Sequence, residues 1–224
     1  MTTAFFTVFR TDPQHYLHAV HLVGEAHVAM PGTEVVHLTD QRSPGVPDVT
    51  RVIRVADGPL LQRRLEAYAG IPPGDVLLLD TDISIRQDVR HVFEDPVFDV
   101  ALTDRHWPHL TQGDAVMHTM PFNTGVAFSR CSSFWRAVLD VWMTYDDAGR
   151  ADWLSEQRAV YAVVRSGQYR VKILPGMIYN YPPHEAVDAP REAALLHYKG
   201  PVRKQWLTAR CYQAYRPARV EVSA

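Results

Sequence analysis

Cysteine is scarce in this chain. Of its 224 residues, only Cys131 and Cys211 are cysteines. Neither lies in a CxxC or other metal spacing, and two cysteines do not make a disulfide framework. A reducing compartment is the default expectation, with an isolated disulfide as the minority alternative. Long apolar runs are also missing, so no segment has the length to span a membrane. Neither sign of charge is in excess. A net charge of -2 removes any global electrostatic case for nucleic acid or an anionic membrane surface. The first residues, MTTAFFTVFRTD, carry no basic leader and reach Arg10 and Asp12 too soon for a signal-peptide core. They read as a first strand, and a cytoplasmic protein is expected. No internal repeat or low-complexity linker divides the chain, so a single domain over residues 1–224 is predicted.

What is present is an alternation of short β-rich runs and helical stretches. Phe5 to Phe9 has the Phe, Thr and Val content of a strand. Pro13 suits a first helical turn capped by Thr11 or Asp12, and Tyr16, Ala19, Val20, Val23 and Ala26 follow a helical rhythm. TEVVHLTD (Thr33 to Asp40) and VTRVIRV (Val49 to Val55) read as strands. PLLQRRLEAYAG reads as a helix, with Pro59 at its start and Gly70 at its end. VLLLD, VFDVALTD (Val97 to Asp104) and FNTGVAFS (Phe122 to Ser129) are further strands. SSFWRAVLDVWMTY with a serine cap, and EQRAVYAVVRS closed by Gly167, are helices. YRVKILPG and ALLHYKG are late strands, the second followed by a basic tail. This order predicts an α/β fold: a mostly parallel sheet with helices on both faces. Such sheets bind ligands at the carboxyl ends of their strands. Thr39-Asp40, Asp80-Thr81-Asp82, Thr103-Asp104 and His197 follow apolar runs and are expected along one edge of one sheet.

The most telling stretch is VLLLDTDISI, Val76 to Ile85. Two carboxylates at the end of a buried run are costly unless something pairs with them. In a continued strand, Asp80 and Asp82 would point the same way. Such a pair suits a hard divalent cation, which takes one or two protein carboxylates and fills the rest of its shell with water and substrate phosphates. Two alternatives stand beside this. One is an aspartate-capped turn. The other is a phosphatase of haloacid-dehalogenase type with Asp80 as nucleophile, although Ile83-Ser84 depart from that motif. LLHYKGPVRKQW adds a nitrogen ligand, His197, and the cations Lys199, Arg203 and Lys204, which would stabilise a departing diphosphate. A solvated basic segment would read the same. Asn123 can donate and accept, and Gly125 allows close backbone approach, or the two make a plain turn. Ser155, Glu156 and Gln157 read as a capped helix start, and capping alone would explain them. Arg63 and Arg64 lie on the helix before the DTD strand. The unpatterned stretch from His106 to Met120 is the candidate acceptor loop.

Taken in order, these segments resemble the retaining glycosyltransferases of GT-A fold, especially glycosyltransferase family 8 and its glycogenin-like members. The resemblance runs from FFTVF to HYKGPVRKQW. It rests on Arg64-Leu65, VLLLDTD, the FNTG of Phe122 to Gly125, Glu156-Gln157, LPGMIYN and the HxxG that starts at His197. Two positions depart from the pattern. Glu156 stands where the family has aspartate. Arg203 stands where it has lysine, with Lys204 one residue further on.

The resemblance implies a nucleotide-diphospho-sugar transferase fold with a Rossmann-like sheet. It implies Mn²⁺ or Mg²⁺ on Asp80, Asp82 and His197, bridging the phosphates of a UDP-sugar. Lys204 or Arg203 would contact the diphosphate. Phe9, Arg10, Thr11 and Asp40 would hold the nucleoside. Arg64, Thr81, Gly125 and Gly200 would complete the donor site, with Asn123, Glu156 and Gln157 facing the sugar and the acceptor hydroxyl. The implied reaction transfers a hexose to an acceptor hydroxyl with retention, by front-face displacement or through a short-lived enzyme-bound intermediate. The acceptor class stays open among glycan, lipid-linked sugar, protein and small molecule, and a homodimer is compatible with the reading. A nucleotide-sugar-binding module without turnover is the alternative from outside the enzymes.

Overall fold

The computed structural model describes residues 1–9, 13–105, 120–184 and 189–214. In chain order, β1 (Thr3–Thr7) leads to α1 (Pro13–Ala29), β2 (Glu34–Asp40), β3 (Arg51–Val55), α2 (Leu60–Ala69) and β4 (Val76–Leu79). β5 (Ile83–Ile85), β6 (Val100–Asp104) and β7 (Phe122–Ser129) follow. Next come α3 (Ser132–Met143), α4 (Asp147–Ala151), α5 (Ser155–Arg165) and β8 (Val171–Leu174). α6 (Gly176–Tyr179), β9 (Leu195–His197) and α7 (Gly200–Ala214) are the last described elements.

Seven of these strands form one sheet in the order β3-β2-β1-β4-β7-β6-β8. Neighbours are parallel except at β7, which runs against both β4 and β6. The carboxyl ends of β1, β4 and β6 and the amino end of β7 therefore meet at one edge. β5 and β9 pair separately as an antiparallel ribbon, with His197 opposite Ile83. This corrects the expectation of a single sheet edge: His197 reaches the site from a second, small sheet. A β-bulge between Leu102 and Thr103 shifts the β6–β7 register just before that edge.

Strand side chains alternate faces, and this alternation builds two cores. Phe6, Leu77, Leu79, Val126 and Phe128 pack with Leu22, Val23 and Ala26 of α1. Phe5, Leu38, Leu78 and Ala127 pack with Leu65 and Tyr68 of α2, Trp135 and Trp142 of α3, and Val160 and Val163 of α5. Each buried tryptophan has an N–H that needs an acceptor. Trp135 donates to Ser129 Oγ and Trp142 to Ser155 Oγ, each at 2.9 Å. Ser155 is thereby committed to the core, and α5 starts from Leu154 with no side-chain cap. α3 likewise starts from Cys131 without one, so neither of the serine caps expected for these helices forms. The basic tail expected after His197 is the helix α7. Leu207 and Cys211, one turn apart, pack with Tyr181, Leu196 and Tyr198 into a third core. Both cysteines are free.

Two buried histidines make this fold sensitive to acid. His37 stacks on Phe6 with ring centroids 5.0 Å apart, and its Nδ1 accepts the Val46 N–H at 3.2 Å. His18 Nε2 lies 2.9 Å from Thr208 Oγ1, between α1 and α7. Burial pushes each imidazole down to about 4 from the usual 6.5. The unfolded chain takes up these protons first, so stability is full above about pH 6.5 and is lost as pH falls toward about 4. The melting temperature should fall between pH 7 and pH 5. A flat profile across that range would contradict neutral, buried histidines.

Candidate active site

β4 ends at Leu79, and Asp80, Thr81 and Asp82 form a turn into β5. The two carboxylates therefore do not converge by strand alternation. The turn is held at both ends: Asp80 N–H donates to Gly125 O at 2.8 Å, and Tyr198 N–H donates to Asp82 O at 2.9 Å. His197 Nε2 lies 3.2 Å from Asp82 Oδ1 and 3.8 Å from Asp80 Oδ2. Ligand atoms from Asp80, Asp82 and His197 all lie within 4.8 Å of one another.

A chain of hydrogen bonds aims the imidazole. Asn180 Nδ2 donates to Thr103 Oγ1 at 2.7 Å and to Asn123 Oδ1 at 2.9 Å. That orientation leaves Asn180 Oδ1 to accept from His197 Nδ1 at 2.7 Å. The Nδ1 proton is thus fixed, and the Nε2 lone pair faces the two aspartates. Burial pushes the His197 imidazole below its usual value, against the pull of Asp82, which favours the neutral ligand form. Burial alone would raise the Asp82 carboxyl, but His197, whenever it carries its second proton, and Lys204 outweigh it and hold Asp82 below the usual carboxylate range. Gly125 completes the cradle. A Cβ there would collide with the His197 ring and lie 2.8 Å from Asp80 Oδ2. Two carboxylates and a neutral imidazole, packed where even a methyl does not fit, suit a small divalent cation such as Mn²⁺ or Mg²⁺.

Cations surround this cluster. Lys204 Nζ lies 3.2 Å from Asp82 Oδ2, and Arg64 Nη1 donates to Asp80 Oδ1 at 2.9 Å. Arg64 Nη2 forms a close ion pair with Glu156. Burial works against the Arg64 charge, but Glu156, Tyr68 and Asp80 outweigh it and raise the guanidinium. Burial raises the Glu156 carboxyl against the pull of Arg64. Burial also pushes Lys199 well down, and Arg105 adds to the effect.

These groups line a cavity of about 280 Å³, together with Thr7, Thr81, Asn123, Thr124, Gln157 and Gly200. A larger, mostly apolar cavity of about 460 Å³ opens among Phe5, Ile53, Val55 and Val76. Its charged residues are already paired, Glu34 with Arg51 and Asp75 with Arg130, so the smaller one is the candidate site. Gln157 Oε1 is buried and finds no hydrogen-bond partner among the described residues. Asn123 Oδ1 is already engaged by Asn180 and by the Gly125 N–H, at 3.0 Å for the latter.

Other expected residues stand elsewhere. Phe9 packs against the second core. Asp40 turns the chain after β2, its Oδ1 accepting from the N–H groups of Arg42 and Ser43 at 2.8 and 2.7 Å. Arg203 donates to the carbonyls of Pro183 and Lys199 at 2.6 and 3.3 Å, so of the two candidate cations only Lys204 faces the cluster. Arg10, Thr11 and 106–119 of the proposed acceptor loop lie outside the described residues. Asn180 and Arg105 were missed as site residues, although Asn180 ends the LPGMIYN motif and Arg105 directly follows a strand-ending aspartate.

The fold agrees with the motif resemblance. A scan against family models finds no match, and no curated protein matches by sequence. Solved structures do match. A glycosyltransferase involved in glycosylation of the major capsid of PBCV-1 has a TM-score of 0.62 at 16% identity, over 92% of this chain and 98% of that one. The galactosyltransferase LgtC, solved with donor and acceptor sugar analogs, has a TM-score of 0.54 at 14% identity, over 93% of this chain and 95% of that one. The chain has the GT-A glycosyltransferase fold.

Removing the carboxamide that aims His197 should lower metal affinity by roughly 10- to 100-fold. Asn180→Ala, titrated with Mn²⁺ by electron paramagnetic resonance, checks this. Native affinity in that variant would show that the imidazole is not held by Asn180.

Proposed function

We propose that this protein is a metal-dependent glycosyltransferase that moves a hexose from a UDP-sugar to an acceptor hydroxyl with retention. The observation that carries the reading is the Asp80, Asp82 and His197 cluster with Lys204 against it, at the strand edge where this fold builds its site. A divalent ion held there would supply positive charge opposite a diphosphate as its bond to the sugar breaks.

The chain's own residues divide the remaining tasks. Lys204, already beside Asp82, is placed to share its charge with the leaving diphosphate. Arg64 holds Asp80 and Glu156 in fixed positions, so neither carboxylate must reorganise when the donor arrives. The unpartnered Gln157 Oε1 awaits a hydroxyl, as does the free end of the Asn123 amide. Retention is favoured by what lines the cavity. Among the described residues, its carboxylates are Asp80, Asp82 and Glu156. The first two belong to the ligand cluster and the third is paired with Arg64, so none stands free as a base for the acceptor. The departing phosphate can take that proton instead.

The phosphatase alternative needs Asp80 as a free nucleophile. Asp80 is instead paired with Arg64, clustered with Asp82 and His197, and set in a glycosyltransferase fold. The binding-module alternative is separated by turnover. UDP release from a panel of UDP-sugars, with Mn²⁺ or with chelator, should single out one donor. Asp82→Ala should lower that rate by at least about 100-fold, since the variant loses both a ligand and the Lys204 partner. Mn²⁺-dependent UDP binding with no release, even with acceptors supplied, would favour the binding module. Release indifferent to chelator would contradict the proposal.

A further inference from the structure

The chemistry proposed above gives no task to Arg105. Arg105 follows Asp104 at the end of β6 and lines the cavity, yet its relative exposure is only 8%. Its backbone N–H donates to Pro121 O and its Nε to Phe122 O, each at 2.9 Å. Those bonds fix where the guanidinium sits. They bring no negative charge. Arg64 is matched by Asp80 and Glu156, but no carboxylate among the described residues pairs with Arg105. Burial alone shifts its pKa, and the shift is downward, as an uncompensated buried cation requires. A guanidinium in a low-dielectric wall is costly until an anion arrives. Its planar fork matches a carboxylate with two parallel hydrogen bonds.

The topology says which part of a substrate would lie there. The ligand cluster stands at the end of β4. β1 and β2 lie on one side of β4, and β7 and β6 on the other. Thr7 marks the β1 side of the cavity. Arg105, Asn123 and Thr124 mark the β6–β7 side. With the diphosphate at the cluster and the nucleoside on the Thr7 side, the transferred sugar and the acceptor fall over β7 and β6.

We infer that Arg105 pairs with a carboxylate carried by a sugar substrate, so that this protein handles a hexuronic acid. The inference rests on the transferase reading and deepens it. Either the donor hexose or the acceptor sugar carries the carboxylate. The chemistry at Arg105 is the same for both, and the experiment separates them.

Dissociation constants for UDP, UDP-glucose, UDP-glucuronic acid, UDP-galactose and UDP-galacturonic acid would be measured by calorimetry with Mn²⁺. Each acidic donor differs from its neutral partner only in a carboxylate for a hydroxymethyl group. One acidic donor should bind roughly tenfold more tightly than its neutral partner. Arg105→Gln should bring that ratio close to one, and Arg105→Lys should keep part of it. The ratio divides out any general weakening, and retained UDP binding shows that each variant is folded. If the donor pairs do not differ, methyl glucuronide and methyl galacturonide would be titrated against their neutral counterparts with UDP and Mn²⁺ present. A preference for the acid that Arg105→Gln removes assigns the carboxylate to the acceptor. Equal binding of acid and neutral sugar in both series overturns the inference, as does a preference that survives Arg105→Gln. In both cases UDP binding leaves the transferase reading standing. Absence of Mn²⁺-dependent UDP binding overturns both together.

Discussion

Repulsion among Asp80, Asp82 and Glu156 is the constraint that the surrounding structure answers. Carboxylates that share a site raise one another's pKa and oppose folding unless cations meet them. Here the cations come from separated parts of the chain. Arg64 on α2 spans Asp80 and Glu156, and thereby joins α2, the turn after β4 and the start of α5. Lys204 on α7 meets Asp82, where the His197 imidazole on β9 also faces it. The site is therefore also a tie between elements far apart in sequence. Asp80 and Asp82 still bring two carboxylates to the point that His197 faces, where a divalent ion would meet both.

Much of this arrangement was legible in the sequence. Alternation of strand and helix predicted a parallel sheet, because periodicity reports which faces are buried. The DTD stretch was legible because apolar runs seldom end in paired acids without a reason. Other features depend on contacts that no local pattern encodes. The reversed direction of β7 is set by pairing with both neighbours, and its sequence reads like any buried strand. Ser155 looked like a helix cap, and only the packing of Trp142 against α5 shows it as an acceptor in the core. The segment after His197 read as a basic tail because Arg203 and Lys204 dominate its composition. Its helix forms because Leu207 and Cys211 find a core that includes Tyr181 and Ala193, which lie outside the segment.

Geometry also separates two cations that residue type left equal. Arg203 and Lys204 are adjacent cations, yet a helix turns neighbouring side chains about 100° apart, so only one can face the cluster. Arg203 is spent on backbone carbonyls, and Lys204 lies against Asp82. Asn180 shows the same lesson from the other side. Its value lies in linking His197, Thr103 and Asn123, three residues on three strands. A fold shared with glycosyltransferases at 14 to 16% identity does not by itself carry chemistry, so the case for chemistry rests on these side chains.

The most direct test of the account is a crystal grown with Mn²⁺ and UDP, with diffraction recorded at the manganese absorption edge. The account predicts one anomalous peak between Asp80, Asp82 and His197, in contact with the diphosphate and with Lys204 turned toward it. A diphosphate bound with no peak there, or a peak at other residues, would contradict it.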